Sequence, residues 1–76
     1  MRKPLRSKDH KRLLALLRQT RKAAGLTQQE VADRLKVPQS FVAKYEGGER
    51  RLDVLEFIAV AKALEADPTE LLSLIL

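Results

Sequence analysis

Residues 39–44 combine side-chain types that can read the edges of DNA bases. A glutamine amide can pair with adenine through two hydrogen bonds, a lysine can donate to guanine, and a phenylalanine ring can lie against a thymine methyl group. The side chains of these types, together with a serine, are Gln39, Ser40, Phe41 and Lys44. For Phe41 a second interpretation stays open, because its ring can also cover the apolar angle between two helices.

Groups on either side of this segment can hold phosphate oxygens. Thr27 and Gln28 fall at the start of a predicted helix, where backbone N–H groups and the positive end of the helix dipole attract an anion. Gly47, Arg50 and Arg51 follow the segment, and their position favours contacts to phosphates that flank a groove. The alternative is that Gln28 and the basic loop are only solvated.

Two short helices must position these residues. Thr27 and Glu30 have the spacing of a capping box, which predicts a helix over residues 28–35, and after a tight break a second helix is predicted over residues 38–47. Ala32 falls where the two helices approach closely. The residues with the spacing of a shared apolar face are Val31, Leu35, Val37, Val42 and Tyr45. Such a pair is typical of the helix-turn-helix, whose second helix lies in the major groove of DNA.

Three further helices complete an all-α prediction. The first runs from Ser7 or Lys8 to Ala24, and its inward stripe consists of Leu13, Leu16, Leu17, Thr20 and Ala24. A second capping box, at Asp53, opens a helix over residues 53–64 that is apolar nearly all round. Asp67 caps a last helix over residues 68–75, which has Pro68 at its first position.

These residues in this register resemble the phage-repressor/Cro-type (XRE-type) helix-turn-helix family over residues 13–72. The matching positions are residues 16–21, Gly25, Leu26, Thr27, Gln28, Val31, Ala32, Leu35, Val42, Tyr45, Glu46, Gly48, Arg50, Ile58, Ala61, Ala63 and Leu64. The resemblance implies a compact five-helix bundle of the lambda-repressor type over residues 8–76. It places the helix-turn-helix motif at about residues 28–47.

The resemblance also implies roles for individual residues. Gln39, Ser40 and Lys44 fall on base-reading positions of the family. Gln28 matches a glutamine that contacts phosphate and braces the recognition helix. Arg21 and Glu46 match a salt bridge that joins the first helix to the end of the third, and we expect this pair to be structural.

Two positions depart from the family pattern. Lys36 stands where the turn usually carries glycine, so it must adopt a left-handed or nearby conformation at a cost of about 1–2 kcal/mol. Pro38 stands where serine or threonine usually caps the recognition helix. Because proline suits the first turn of a helix, we expect a changed start of this helix but not its loss.

The charge of the chain is unevenly distributed. Residues 1–12 hold six basic side chains and one acidic, and residues 13–52 hold eight basic and four acidic. Residues 53–76 hold one basic side chain and five acidic. We predict that residues 1–7 form a flexible basic arm that follows the phosphate backbone or enters a groove. The basic half favours a polyanion, and the acidic half favours a different partner.

Composition excludes several other classes of protein. The 76 residues contain no cysteine, and His10 is the only histidine, so we expect no catalytic residue, no metal site and no cofactor. No apolar run approaches the 18 or so residues of a membrane span. We therefore expect a cytoplasmic protein that associates with the nucleoid through DNA.

The sequence thus predicts a sequence-specific regulator of transcription that binds double-stranded DNA and acts, in the simplest case, as a repressor. One small domain contacts about one half-site, so we expect a homodimer whose interface lies on helix 5 and the adjoining end of helix 4. The alternative is an antitoxin or a restriction-system controller whose C-terminal half, including its apolar last helix, binds a protein partner.

Overall fold

Five helices form the regular structure of the computed structural model, which describes residues 7–76. They are α1 (Ser7–Ala23), α2 (Gln28–Leu35), α3 (Gln39–Glu46), α4 (Val54–Ala63) and α5 (Pro68–Ser73). The all-helical, five-helix prediction is confirmed. Helix α1 begins at Ser7, the last residue of the predicted arm, and the rest of that arm lies outside the described residues.

The core lies where all five helices meet. Helices α2 and α3 pack on each other, α4 packs against α2, α1 packs against α3, and α5 packs against α4. The buried apolar residues are Leu17, Val31, Ala32, Val42, Tyr45, Phe57, Val60, Ala61, Leu64 and Leu71. Of the predicted face between α2 and α3, Val31, Val42 and Tyr45 are buried, whereas Leu35 and Val37 are half-buried at its rim.

Side-chain caps fix where three helices begin, as the sequence predicts. The Thr27 hydroxyl accepts the Glu30 N–H at 3.0 Å, and the Glu30 carboxylate accepts the Thr27 N–H at 2.8 Å. Asp53 and Glu56 repeat this reciprocal capping at the start of α4. At α5 the Asp67 carboxylate accepts the Thr69 N–H at 2.8 Å.

The turn between α2 and α3 adopts the conformation that the sequence requires. Lys36 is left-handed with a φ of 61°, and the Val37 N–H donates to the Ala32 carbonyl at 3.0 Å. Ala32 is fully buried, in agreement with the close approach predicted for its position. The cost of a non-glycine residue at Lys36 is thus met by a hydrogen-bonded turn over a well-packed core.

One inward position and several helix ends differ from the sequence prediction. Ala24 is exposed, because α1 ends at Ala23 and the turn to the left-handed Gly25 carries the chain away from the inward stripe. Pro38 precedes α3 as its N-cap in an extended conformation, so this helix starts one residue later. Helices α3 and α4 each end one residue early, at Glu46 and Ala63, and α5 ends two residues early, at Ser73. Within residues 7–76, no helix is both long and apolar enough to cross a membrane.

Candidate nucleic-acid interface

Helix α3 has one face in the core and one face in solvent. Val42 and Tyr45 are fully buried, while Gln39, Ser40 and Lys44 are exposed. Because the buried residues anchor the helix in the core, the backbone positions of its exposed polar residues are fixed relative to one another. The predicted base-reading residues Gln39, Ser40 and Lys44 therefore share one accessible surface.

Gln28 is the first residue of α2, and its side chain forms hydrogen bonds to both ends of α3. Its amide oxygen accepts a hydrogen bond from the Gln39 amide at 2.7 Å, and its own amide nitrogen donates to Glu46 at 2.9 Å. An amide nitrogen carries two hydrogens, so Gln39 keeps one donor and its oxygen for another partner. The Gln28 side chain thus fixes the position of α3 relative to α2.

Arg21 and Glu46 form a buried ion pair between α1 and the last residue of α3. The guanidinium donates to the two carboxylate oxygens at 2.7 and 3.1 Å, and it also donates to the Leu26 carbonyl at 2.9 Å. The hydrogen bond to Glu46 raises the pKa of Arg21 despite the opposing effect of burial. The guanidinium therefore stays charged and orients the end of α3.

The start of α2 offers main-chain donors next to this surface. The Thr27 N–H is already bonded to Glu30, but the N–H groups of Gln28 and Gln29 have no hydrogen-bond partner among residues 7–76. Free N–H groups in the first turn of a helix are suited to an anion such as a phosphate oxygen. Of the two residues predicted here, Gln28 thus has the free main-chain donor.

The remaining predicted residues lie in the loop after α3 and differ in whether their donor groups are free to contact a phosphate. The Gly47 N–H donates to the Ala43 carbonyl at 2.9 Å, so it is not free for a phosphate. Arg50 donates to both carboxylate oxygens of Glu56 and lies over the ring of Phe41. Arg51 is exposed, and its guanidinium has no partner among the described residues. The loop thus brings one unpaired cation to the end of α3.

Phe41 covers the angle between α2 and α3, the second of its two interpretations. Its ring is half-buried and meets the Tyr45 ring edge to face, with the centroids 5.8 Å apart. It also lines a small apolar cavity of about 160 Å³ between α2, α3 and α4. These packing interactions do not test whether Phe41 also contacts a base, so that contact stays a prediction.

One cluster of side chains beside the exposed face of α3 was not predicted from the sequence. Arg50, Glu56 and Phe41 come together although they belong to a loop, to α4 and to α3. The only sequence signal was an arginine six residues before the capping-box glutamate. That signal is weak, because the spacing alone does not show how the loop folds back over Phe41.

The fold and the exposed face of α3 define a helix-turn-helix protein, and comparison with known proteins gives its family. Residues 17–71 match the model of the helix-turn-helix family. The chain belongs to the XRE-type helix-turn-helix family, a family of DNA-binding transcription regulators. A search of curated proteins found no match.

Two solved structures support this membership. The chain is similar to an XRE-family like protein from Pseudomonas syringae pv. tomato, with 51% identity and a TM-score of 0.86 over 88% of this chain and 82% of that one. It is also similar to a restriction-modification controller protein from Aeromonas hydrophila. In that case the identity is 31% and the TM-score 0.77, over 86% of this chain and 98% of that one.

Proposed function

We propose that this chain represses transcription by binding double-stranded DNA sequence-specifically as a homodimer, with α3 in the major groove. The observation that carries this proposal is the pair of faces on α3. Gln39, Ser40 and Lys44 are exposed together on a helix whose opposite side is fixed in the core by Val42 and Tyr45. Occlusion of a promoter by the bound protein is the simplest way for such a regulator to act.

Base recognition is assigned to the exposed polar residues of α3. Lys44 donates to guanine, and Gln39 pairs with adenine while its second amide hydrogen stays on Gln28. Ser40 is small enough to contact either kind of base. Phe41 reaches at most a thymine methyl group at the margin, because its ring is already packed against Tyr45.

Phosphate contacts on both sides of the groove place α3 in register. At one side the free N–H of Gln28 and the hydroxyl of Thr27 lie at the start of α2. At the other side the exposed Arg51 provides the charge, and Gly47 allows close approach because it has no side chain. These contacts provide affinity for any DNA sequence, while the residues of α3 select among sequences.

An exposed apolar surface supports a homodimer. Val54 and Leu55 are 72% and 76% exposed at the start of α4, and Leu74 is 64% exposed after α5. Leu52 and Ile75 line one cavity, so the loop that leads into α4 lies beside the C-terminal residues. On a protein of this size such a surface is typical of an interface.

The proposed interface therefore differs in one respect from the sequence prediction. The end of α4 that adjoins α5 is occupied by the core, since Ala61 and Leu64 are buried. The exposed apolar residues of α4 are at its start, and we place the interface there and on the C-terminal residues 72–76. Two-fold symmetry would separate the recognition helices by about 34 Å, one turn of the duplex.

Selection of bound sequences from random double-stranded DNA tests the proposed function. We expect enrichment of a roughly palindromic site whose half-sites are about 10 base pairs apart from centre to centre. DNase footprinting on a selected site should then protect one contiguous region. Recovery of random sequences after repeated rounds would contradict sequence-specific binding.

A narrower role is favoured by one comparison. The similarity to a restriction-modification controller protein extends over 86% of this chain. We propose as a second candidate that the chain controls a restriction-modification or toxin-antitoxin operon, with the C-terminal apolar residues available to a protein partner. A restriction or toxin gene beside its own gene, with the selected site upstream of it, would support this role. Binding sites confined to unrelated promoters would argue against it.

A further inference from the structure

We propose that Arg50 is a positioning residue, held by Glu56, which fixes the loop after the recognition helix so that Arg51 meets the DNA backbone. This inference rests on the proposed DNA-binding function. It replaces a direct phosphate contact of Arg50 by an indirect role, and it assigns a role in DNA binding to an acidic residue.

The guanidinium of Arg50 is engaged on two sides. Its two terminal nitrogens donate to the two oxygens of Glu56 at 3.0 and 2.7 Å, and one of them also donates to the Arg51 carbonyl at 2.9 Å. A planar guanidinium that meets a carboxylate through two parallel bonds is held in direction as well as in distance. Arg50 therefore fixes the backbone of Arg51 relative to α4.

Glu56 is itself fixed by the start of α4. Its carboxylate accepts the Asp53 N–H at 2.9 Å, and its own N–H donates to Asp53 at 2.7 Å. The carboxylate is thus both the capping group of the helix and the anchor of Arg50. The hydrogen bond from Arg50 is the main cause that lowers the pKa of Glu56 to about 2, so Glu56 remains an anion at neutral pH.

Phe41 connects this ion pair to the recognition helix. The central carbon of the Arg50 guanidinium lies 4.4 Å from the centroid of the Phe41 ring. A cation over an aromatic face is attracted by the ring quadrupole. In addition, the N–H groups of Glu49 and Arg50 both donate to the Lys44 carbonyl, which folds the loop back on the last turn of α3. The loop, α3 and α4 consequently form one unit.

The sign of one charge change separates the two roles of Arg50. Removal of an acidic group from a DNA-binding protein normally strengthens binding, because the protein becomes more positive. If Arg50 contacted phosphate directly, Glu56→Gln would release it and strengthen binding to every sequence. If Arg50 positions the loop, the same substitution weakens binding. Glutamine can still accept the Asp53 N–H, so the helix cap is retained.

The test measures dissociation constants of the full chain for its selected DNA site over a series of salt concentrations. We expect Glu56→Gln to weaken binding by about tenfold, the effect of about one lost contact. The matched control is Glu49→Gln, which removes the same charge from an exposed position in the same loop and should bind as tightly as the unaltered chain or more tightly. Circular dichroism of each variant checks whether it is folded.

Substitutions of the two arginines complete the experiment. Arg51→Ala should reduce the slope of log K against log salt by about 0.9, and Arg50→Ala should reduce it by about as much, because the Arg51 contact is lost with its support. The double variant Arg50→Ala with Arg51→Ala should reduce the slope no further. Arg50→Lys keeps the charge but lacks the planar fork, so it should weaken binding almost as much as Arg50→Ala. This conservative variant also serves if Glu56→Gln does not fold.

Three results would overturn the inference. Tighter binding by Glu56→Gln, near-normal binding by Arg50→Lys, or a slope reduced by about 1.8 in the double variant would each identify Arg50 as a direct phosphate contact. In these cases the proposed function would stand, since the site would still be bound. Failure of the unaltered chain to bind any sequence selectively would instead overturn the proposed function and this inference with it.

Discussion

Arg21 on α1 donates to both carboxylate oxygens of Glu46, the last residue of α3, at 2.7 and 3.1 Å. The two side chains are only 10% and 4% exposed. Gln28 at the start of α2 donates to the same carboxylate at 2.9 Å. The first three helices therefore meet at Glu46, and its carboxylate joins the end of α3 to α1 and α2.

Loss of the arginine should strongly destabilise the fold. In Arg21→Met, Glu46 would keep a buried charge without its main partner, and we expect the free energy of unfolding to fall by about 3–5 kcal/mol. Urea denaturation measures this change. As a control, Arg21→Met combined with Glu46→Leu should recover much of the loss, because no unpaired charge remains. A loss below about 1 kcal/mol in the single variant would show that the pair does not act as a buried ion pair.

Removal of the Tyr45 hydroxyl should not destabilise the protein. Tyr45 is fully buried, its hydroxyl has no hydrogen-bond partner among residues 7–76, and burial raises its pKa above the ordinary value. We expect Tyr45→Phe to leave the free energy of unfolding unchanged or to raise it by up to about 1 kcal/mol. Tyr45→Ala should lower it by about 3–5 kcal/mol because it leaves a cavity. A clear loss of stability in Tyr45→Phe would mean that the hydroxyl has a partner.

The ion pair of Glu56 should make stability depend on pH in the acid range. The hydrogen bond from Arg50 lowers the pKa of Glu56 from 4.5 to about 2, so the unfolded chain binds a proton more readily than the folded one. The contribution of this pair is thus present above about pH 4.5 and is lost as the pH falls towards 2. Denaturation at several pH values should show the unaltered chain more stable than Glu56→Gln at pH 7. The difference should shrink below pH 4.5, and a constant difference would contradict the assignment.

The exposed leucines after α5 should control assembly. We expect Leu74→Glu with Leu76→Glu to give a folded monomer that binds the selected site weakly, because two charges would be buried in the interface. Sedimentation velocity measures the oligomeric state. Gln19→Glu with Thr69→Glu adds the same charges at exposed polar positions outside the proposed interface and should remain dimeric. An unfolded chain would assign the leucines to the monomer core, and a persistent, fully active dimer would rule out this interface.

Local signals in the sequence were enough to predict the helices. The capping boxes at Thr27 and Asp53 involve residues three apart, whereas the left-handed turn at Lys36 was implied by the family resemblance, in which this position usually carries glycine. Ala24 was misplaced because the stripe was extended by periodicity past the point where Gly25 ends the helix. The residue at which a helix ends depends on a few competing hydrogen bonds, so it is less predictable from the sequence than the presence of the helix.

Contacts between distant elements could not be predicted in this way. The position of Arg50 over Phe41 depends on how the loop returns to the last turn of α3. Glu56 was already explained by its role as a helix cap, so the sequence did not indicate its second contact, with Arg50. Likewise, the sequence prediction chose the end of α4 that adjoins α5 for an interface, whereas the exposed apolar residues of α4 are at its start. Tertiary packing decided that Val54 and Leu55 are exposed while Ala61 is buried.

Base preference in the Lys44→Ala variant tests the central proposal most directly. Lys44 is exposed on α3, and its side chain has no partner among the described residues, so its removal should leave the fold intact. Gln39 is a less direct test, because its side chain also donates a hydrogen bond to Gln28. Selection from random DNA should show relaxed preference at one base pair of each half-site, with a loss of about 1–3 kcal/mol on the original site, and Gln39→Ala should relax another. Arg51→Ala should weaken all sequences about equally. An unchanged base preference in both α3 variants would contradict recognition by this helix.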